Sequence, residues 1–129
     1  MARVLVIAFV GDARDTVVAA FDEAGHQVEN AEPKDSAVTH AKTSQPDVMC
    51  VDLGDQPAFG REVARVLAKT KATRDIPMVL YGVDAETEPR ARTAAPRAVL
   101  ISQRAPKAVM VAVKKALSNC IRDYDDEDV

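Results

Sequence analysis

The chain has no tryptophan, and only 4% of its residues are aromatic. It holds two cysteines, two histidines and five glycines among 129 residues. A disulfide framework, a zinc centre and a glycine-rich phosphate loop therefore each lack their raw material. Cys50 lies between Met49 and Val51, far from Cys120 in a helical stretch. Separated thiols without basic neighbours read as reduced structural filler and suit a cytoplasmic location. His26 and His40 stand apart from each other and from cysteine, as surface residues do. No apolar run approaches the roughly 20 residues that span a bilayer. Met1-Ala2-Arg3 and the apolar stretch after it lack a small-residue cleavage site, so no targeting signal is read. Neither a metal nor a cofactor is expected.

What is present is the pattern of one α/β domain. The 47% hydrophobic and 29% charged fractions are those of a water-soluble globular chain long enough to bury a core. Five apolar runs recur, at Val4 to Val10, His26 to Ala31, Val48 to Leu53, Met78 to Gly82 and Ala98 to Ile101, each followed by a segment able to form a helix. The first, third and fifth are continuously apolar, which predicts parallel strands covered on both faces, with Val6, Val51 and Leu100 among the least exposed residues.

The helical segments carry their own signals. Asp12 is placed to cap the first and Gly25 to end it. The second, over residues 35–43, stops before Pro46. Phe59, Val63, Val66 and Leu67 form the stripe of the third, and Val109, Val113, Ala116, Leu117 and Cys120 that of the last. The fourth, within residues 84–95, contains Pro89 and should be short. Alternating strand and helix with right-handed crossovers predict a doubly wound, five-stranded parallel sheet of order 2-1-3-4-5 with helices on both faces. Its functional crevice lies at the carboxyl ends of strands 1 and 3, at residues 8–12 and 52–57. Residues 1–122 make up the domain, and the acidic segment 123–129 reads as a disordered tail.

The stretch Pro46-Asp47-Val48-Met49-Cys50-Val51-Asp52-Leu53, with Pro57, Gly60 and Ile76-Pro77-Met78-Val79 after it, resembles the receiver (CheY-like) domain of bacterial response regulators. The resemblance implies the flavodoxin-like fold and puts Asp52 at the phosphoacceptor position. It also shows how much of the family's machinery is replaced. The acidic pair that holds Mg²⁺ falls on Ala8 and Phe9, the hydroxyl residue ending strand 4 on Gly82, and the strand 5 aromatic on Val99. The basic residue after strand 5 falls on Ser102, unless a two-residue slip puts Arg104 there. Transfer of a phosphoryl group to a carboxylate needs cationic help against the accumulating negative charge. Asp52 therefore reads as an inactive remnant, and the chain as a non-enzymatic pseudo-receiver that signals by binding another protein.

The alternative is a phosphorylatable single-domain regulator in a two-component or chemotaxis-like pathway, with Asp12, Asp55 and Arg104 as substitute helpers. A small-ligand binder of flavodoxin type would need a phosphate loop that residues 9–13 do not supply. Charge indicates where a partner would sit. Residues 1–60 carry 4 basic and 10 acidic side chains, whereas residues 61–118 carry 12 and 5. The basic half includes the face formed by helix 4, strand 5 and helix 5, with Arg92, Arg97, Arg104 and Lys107, which suits a protein partner or a second copy of the chain. Sparse aromatics and a pI near 5.4 argue against nucleic acid. No membrane partner is expected.

Overall fold

The computed structural model describes residues 2–118 in full and the backbone of residues 119–128. Five parallel strands, β1 (Arg3–Ile7), β2 (Gln27–Ala31), β3 (Val48–Asp52), β4 (Met78–Tyr81) and β5 (Val99–Leu100), alternate with five helices. These are α1 (Asp12–Glu23), α2 (Asp35–Ser44), α3 (Pro57–Lys69), α4 (Glu88–Ala94) and α5 (Pro106–Asp128). The strand order is β2-β1-β3-β4-β5, as the sequence pattern predicts. The acidic segment 123–129 and Cys120 fall among the residues whose side chains lie outside the described part.

Strand alternation divides the core into two layers. Leu5, Ile7, Met49, Val51 and Leu80 face one way and pack on Ala37 and Ala41 of α2, Val63, Ala64 and Leu67 of α3, and Ala91 of α4. Val4, Val6, Val48, Cys50, Val79 and Tyr81 face the other way, onto Val17 and Phe21 of α1 and Val109, Ala112, Val113 and Ala116 of α5. Continuous apolar runs in β1 and β3 serve both layers at once, which is why they do not alternate. In α2 the fully buried residues are Ala37 and Ala41, small side chains that seat a polar helix close on the sheet, with Val38 packing part-buried beside them.

The structure corrects several local expectations. β5 has only two residues, both half-buried. Leu100 is therefore not among the least exposed residues, although Val6 and Val51 are at 0%. An edge strand pairs on one side only, so its cover is incomplete. Asp12 does not cap α1: Gly11 occupies that position without a side-chain bond, and Asp12 and Asp15 lie in the first turn, where the helix dipole favours acids. Pro89 sits in the first turn of α4, where its missing N–H costs no intrahelical bond. His26 and His40 are half-buried. His26 Nδ1 accepts from the Ala2 N–H at 3.0 Å, and His40 Nε2 meets Glu29.

Candidate functional site

Parallel pairing brings the ends of β1, β3 and β4 to one edge of the sheet, with Ile7 opposite Val51 and Asp52 opposite Tyr81. Asp52 is 5% exposed. A carboxylate this deep needs partners for both oxygens, and the loops beyond β3 and β5 provide them. Oδ1 accepts the Gly54 N–H at 2.7 Å, in the short turn that an Asp two residues before a glycine favours. Oδ2 accepts from Arg104 Nη2 at 2.8 Å. The same Nη2 lies 3.2 Å from Asp55 Oδ2. One guanidinium thus bridges two carboxylates, and the carboxylate hydrogen bond raises the Arg104 pKa further, so the cation is permanent.

Arg104 was expected on the outer basic face. It instead turns inward to Asp52, the place that the two-residue slip would give it. Ser102, the alternative position, is exposed. Gly82, at the end of β4, adopts φ +72° and lies against the Arg104 side chain. Val99 is half-buried in β5 and packs with the layer facing α1 and α5. Arg92, Arg97 and Lys107 are exposed. The fold therefore gathers Asp52, Gly82 and Arg104 into one place, leaving Val99, Ser102 and the three other basic residues outside it.

The positions of the family's acidic pair are apolar in three dimensions as well. Ala8 is buried at 1% exposure, and its carbonyl is 3.5 Å from Arg14 Nη1. Phe9 meets Phe59 edge to face, with ring centroids 6.1 Å apart. Among the described residues no group of three or more His, Cys, Asp or Glu side chains converges to hold a metal. Asp52 and Asp55 are already bridged by the Arg104 cation. A Mg²⁺ site of the receiver type does not fit these residues, because hard cations need more oxygen ligands than two engaged carboxylates supply.

Gly54, Arg14 and Tyr81 also belong to this corner and were not singled out from sequence. The Asp-Leu-Gly turn was the available signal for Gly54; none existed for the others. Tyr81 is 1% exposed, and its hydroxyl has no hydrogen-bond partner among the described residues. Burial, and then the charge of Asp52, push its pKa up strongly, so it stays neutral. Burial likewise pushes the Cys50 thiol up to about 12, which removes it as a nucleophile at neutral pH. A cavity of about 320 Å³ opens at the other end of the sheet, between Ile76, Met78, Ala95 and Ala116, remote from this chemistry.

No family model matches the chain. It is 31% identical over 90 residues to the phosphate regulon transcriptional regulatory protein PhoB of Klebsiella pneumoniae and, equally, of Escherichia coli K12, a match covering 70% of this chain and 39% of each relative. The chain thus spans about two fifths of the length of these curated relatives. Among solved structures, the chemotaxis response regulator CheY4 of Vibrio cholerae superposes with a TM-score of 0.77 at 19% identity, covering 91% of this chain and 99% of CheY4. The signal receiver domain of a histidine kinase from Syntrophus aciditrophicus gives 0.77 at 19%, covering 92% of each. No helix among the described residues is long and apolar enough to cross a membrane. The chain has the fold of CheY-like receiver domains, and over 90 residues its sequence is similar to that of a transcriptional response regulator.

Proposed function

We propose that this receiver works without phosphorylation, as a pseudo-receiver that signals through protein contact. One observation carries the reading: both oxygens of Asp52 are engaged, by the Gly54 N–H and by Arg104, while Ala8 and Phe9 offer no metal ligand. A phosphoacceptor needs a free carboxylate oxygen and a cation beside the incoming phosphoryl group. Here each oxygen already accepts a hydrogen bond, Arg104 already balances the charge of Asp52, and Ala8 and Phe9 leave no acidic pair to bring Mg²⁺ beside it. Beryllium fluoride with Mg²⁺, which mimics the phosphoryl state of receivers, is expected to leave the amide NMR spectrum unchanged. Saturable shifts centred on Asp52 would overturn this reading in favour of a phosphorylatable regulator.

The proposed contact surface is the α4, β5 and α5 face, reduced now to Arg92, Arg97 and Lys107. Arg92 pairs with Glu88 of its own helix at 3.5 Å and Arg97 with Asp75 at 3.6 Å. Exposed pairs of this kind are worth only about 0–1 kcal/mol, so both arginines can exchange partners at little cost. An acidic or mixed protein surface suits them. With a partner captured by crosslinking, R92E/R97E is expected to slow association several-fold at low salt and to change it little at high salt, where exposed charges are screened. Equal rates for wild type and variant at low salt would move the contact elsewhere.

A further inference from the structure

We propose that Arg104 is the resident cation of the Asp52 corner: a tethered guanidinium that the fold has made room for, and that keeps divalent metal out. The proposal rests on the phosphorylation-independent reading and supplies a device behind it. The bridge to Asp52 and Asp55, at 2.8 and 3.2 Å, is one part of the argument. The slot in which the arginine lies is the other.

Two glycines form that slot. A Cβ added to Gly54 would lie 2.3 Å from Arg104 Nε and 2.5 Å from its Cζ. A Cβ on Gly82 would lie 3.0 Å from Arg104 Cγ and 3.0 Å from the Gly54 nitrogen. Any other residue at position 54, and a bulky one at position 82, would therefore force the arginine to shift from its place. The backbone fixes where the arginine starts: Gly82 N–H donates to the Gln103 carbonyl at 3.2 Å and Val83 N–H to the Ile101 carbonyl at 3.0 Å. These bonds hold the link between β5 and α5 across the end of β4.

An incidental surface pair would look different. In the Arg97 and Asp75 pair the side chains are 68% and 79% exposed, whereas for Arg104 and Asp52 the values are 34% and 4%. Charge-charge attraction strengthens as water is removed, so the Arg104 bridge is the one a metal ion would have to displace. Gly82 stands where a receiver's hydroxyl residue is expected. Its small size is what lets Arg104 approach from two residues further along the chain. The loss of the hydroxyl and the arrival of the arginine are thus one structural exchange.

Mn²⁺ alone, titrated into the full-length ¹⁵N-labelled chain, tests the proposal through paramagnetic broadening of amide signals. Wild type should show no saturable broadening at residues 52–56 and 82–83. R104M frees both carboxylates and should bind Mn²⁺ there about tenfold or more tightly than wild type, a modest fraction of what removing a full charge allows. D52N in the R104M background should abolish the gain. Because R104M leaves Asp52 buried without its partner, G54A provides a second route: it keeps every charge but fills the slot, and it should produce the same gain. If neither R104M nor G54A binds Mn²⁺ more tightly than wild type, or if wild type already binds at Asp52, the resident-cation proposal fails. A beryllium fluoride response in wild type would overturn the phosphorylation-independent reading instead, so the two failures are distinguishable.

Discussion

Replacing Val51 by Asp is expected to leave the chain without a cooperative thermal unfolding transition. Val51 is 0% exposed and lies in the central strand, opposite Ile7 on β1 and Leu80 on β4. Its side chain packs in the layer that α2, α3 and α4 cover, with Leu5, Leu67 and Leu80. The substitution forfeits about 1.5–3 kcal/mol of apolar burial. It also puts a carboxylate where nothing donates to it, at several kcal/mol more. Together these consume most of the roughly 5–15 kcal/mol by which a domain is stable. Circular dichroism melting and amide dispersion in the NMR spectrum read the outcome. A variant that melts like the wild type would mean that β3 is not the centre of the sheet.

Phe21→Ala should cost about 3–5 kcal/mol, the range for truncating a fully buried aromatic side chain. Phe21 is 1% exposed and anchors α1 in the layer containing Val4, Val6 and Val17. Its ring meets His26 edge to face at 5.7 Å, and His26 in turn holds the backbone N–H of Ala2. At about 3–5 °C per kcal/mol for a domain of this size, the melting temperature should fall by about 9–25 °C. Phe59→Ala is the control: that ring is 55% exposed, and its loss should shift melting by only a few degrees. Similar shifts for the two variants would contradict the packing of α1.

Much of the architecture was legible in the chain, for definable reasons. Apolar runs without alternation at residues 4–7 and 48–51 can be satisfied only by strands with a layer on each side, and helical stripes between them leave a parallel sheet as the solution. Register from those runs also put Ala8, Phe9 and Gly82 at the edge where Asp52 emerges. Leu100 was misjudged because an apolar run does not reveal whether its strand lies at the centre or the edge. Phe21 and Phe59 are the same residue type on similar helical stripes, and only packing separates a buried anchor from an exposed ring.

What the sequence determined by itself was the sheet and its two layers, because these follow from periodicity and local spacing; the acid and hydroxyl positions were implied only by the resemblance to receivers. The placement of Arg104 beside Asp52 was decided by tertiary structure. Fifty-two residues separate it from Asp52, and counting along the chain put the basic position on Ser102 unless the alignment slipped by two residues. The choice depended on how the backbone after β5 is held against β4, and on the space left by Gly54 and Gly82, which belong to two other loops. Long-range pairing of this kind has no local signature, since each partner is an ordinary surface residue until the fold closes around it.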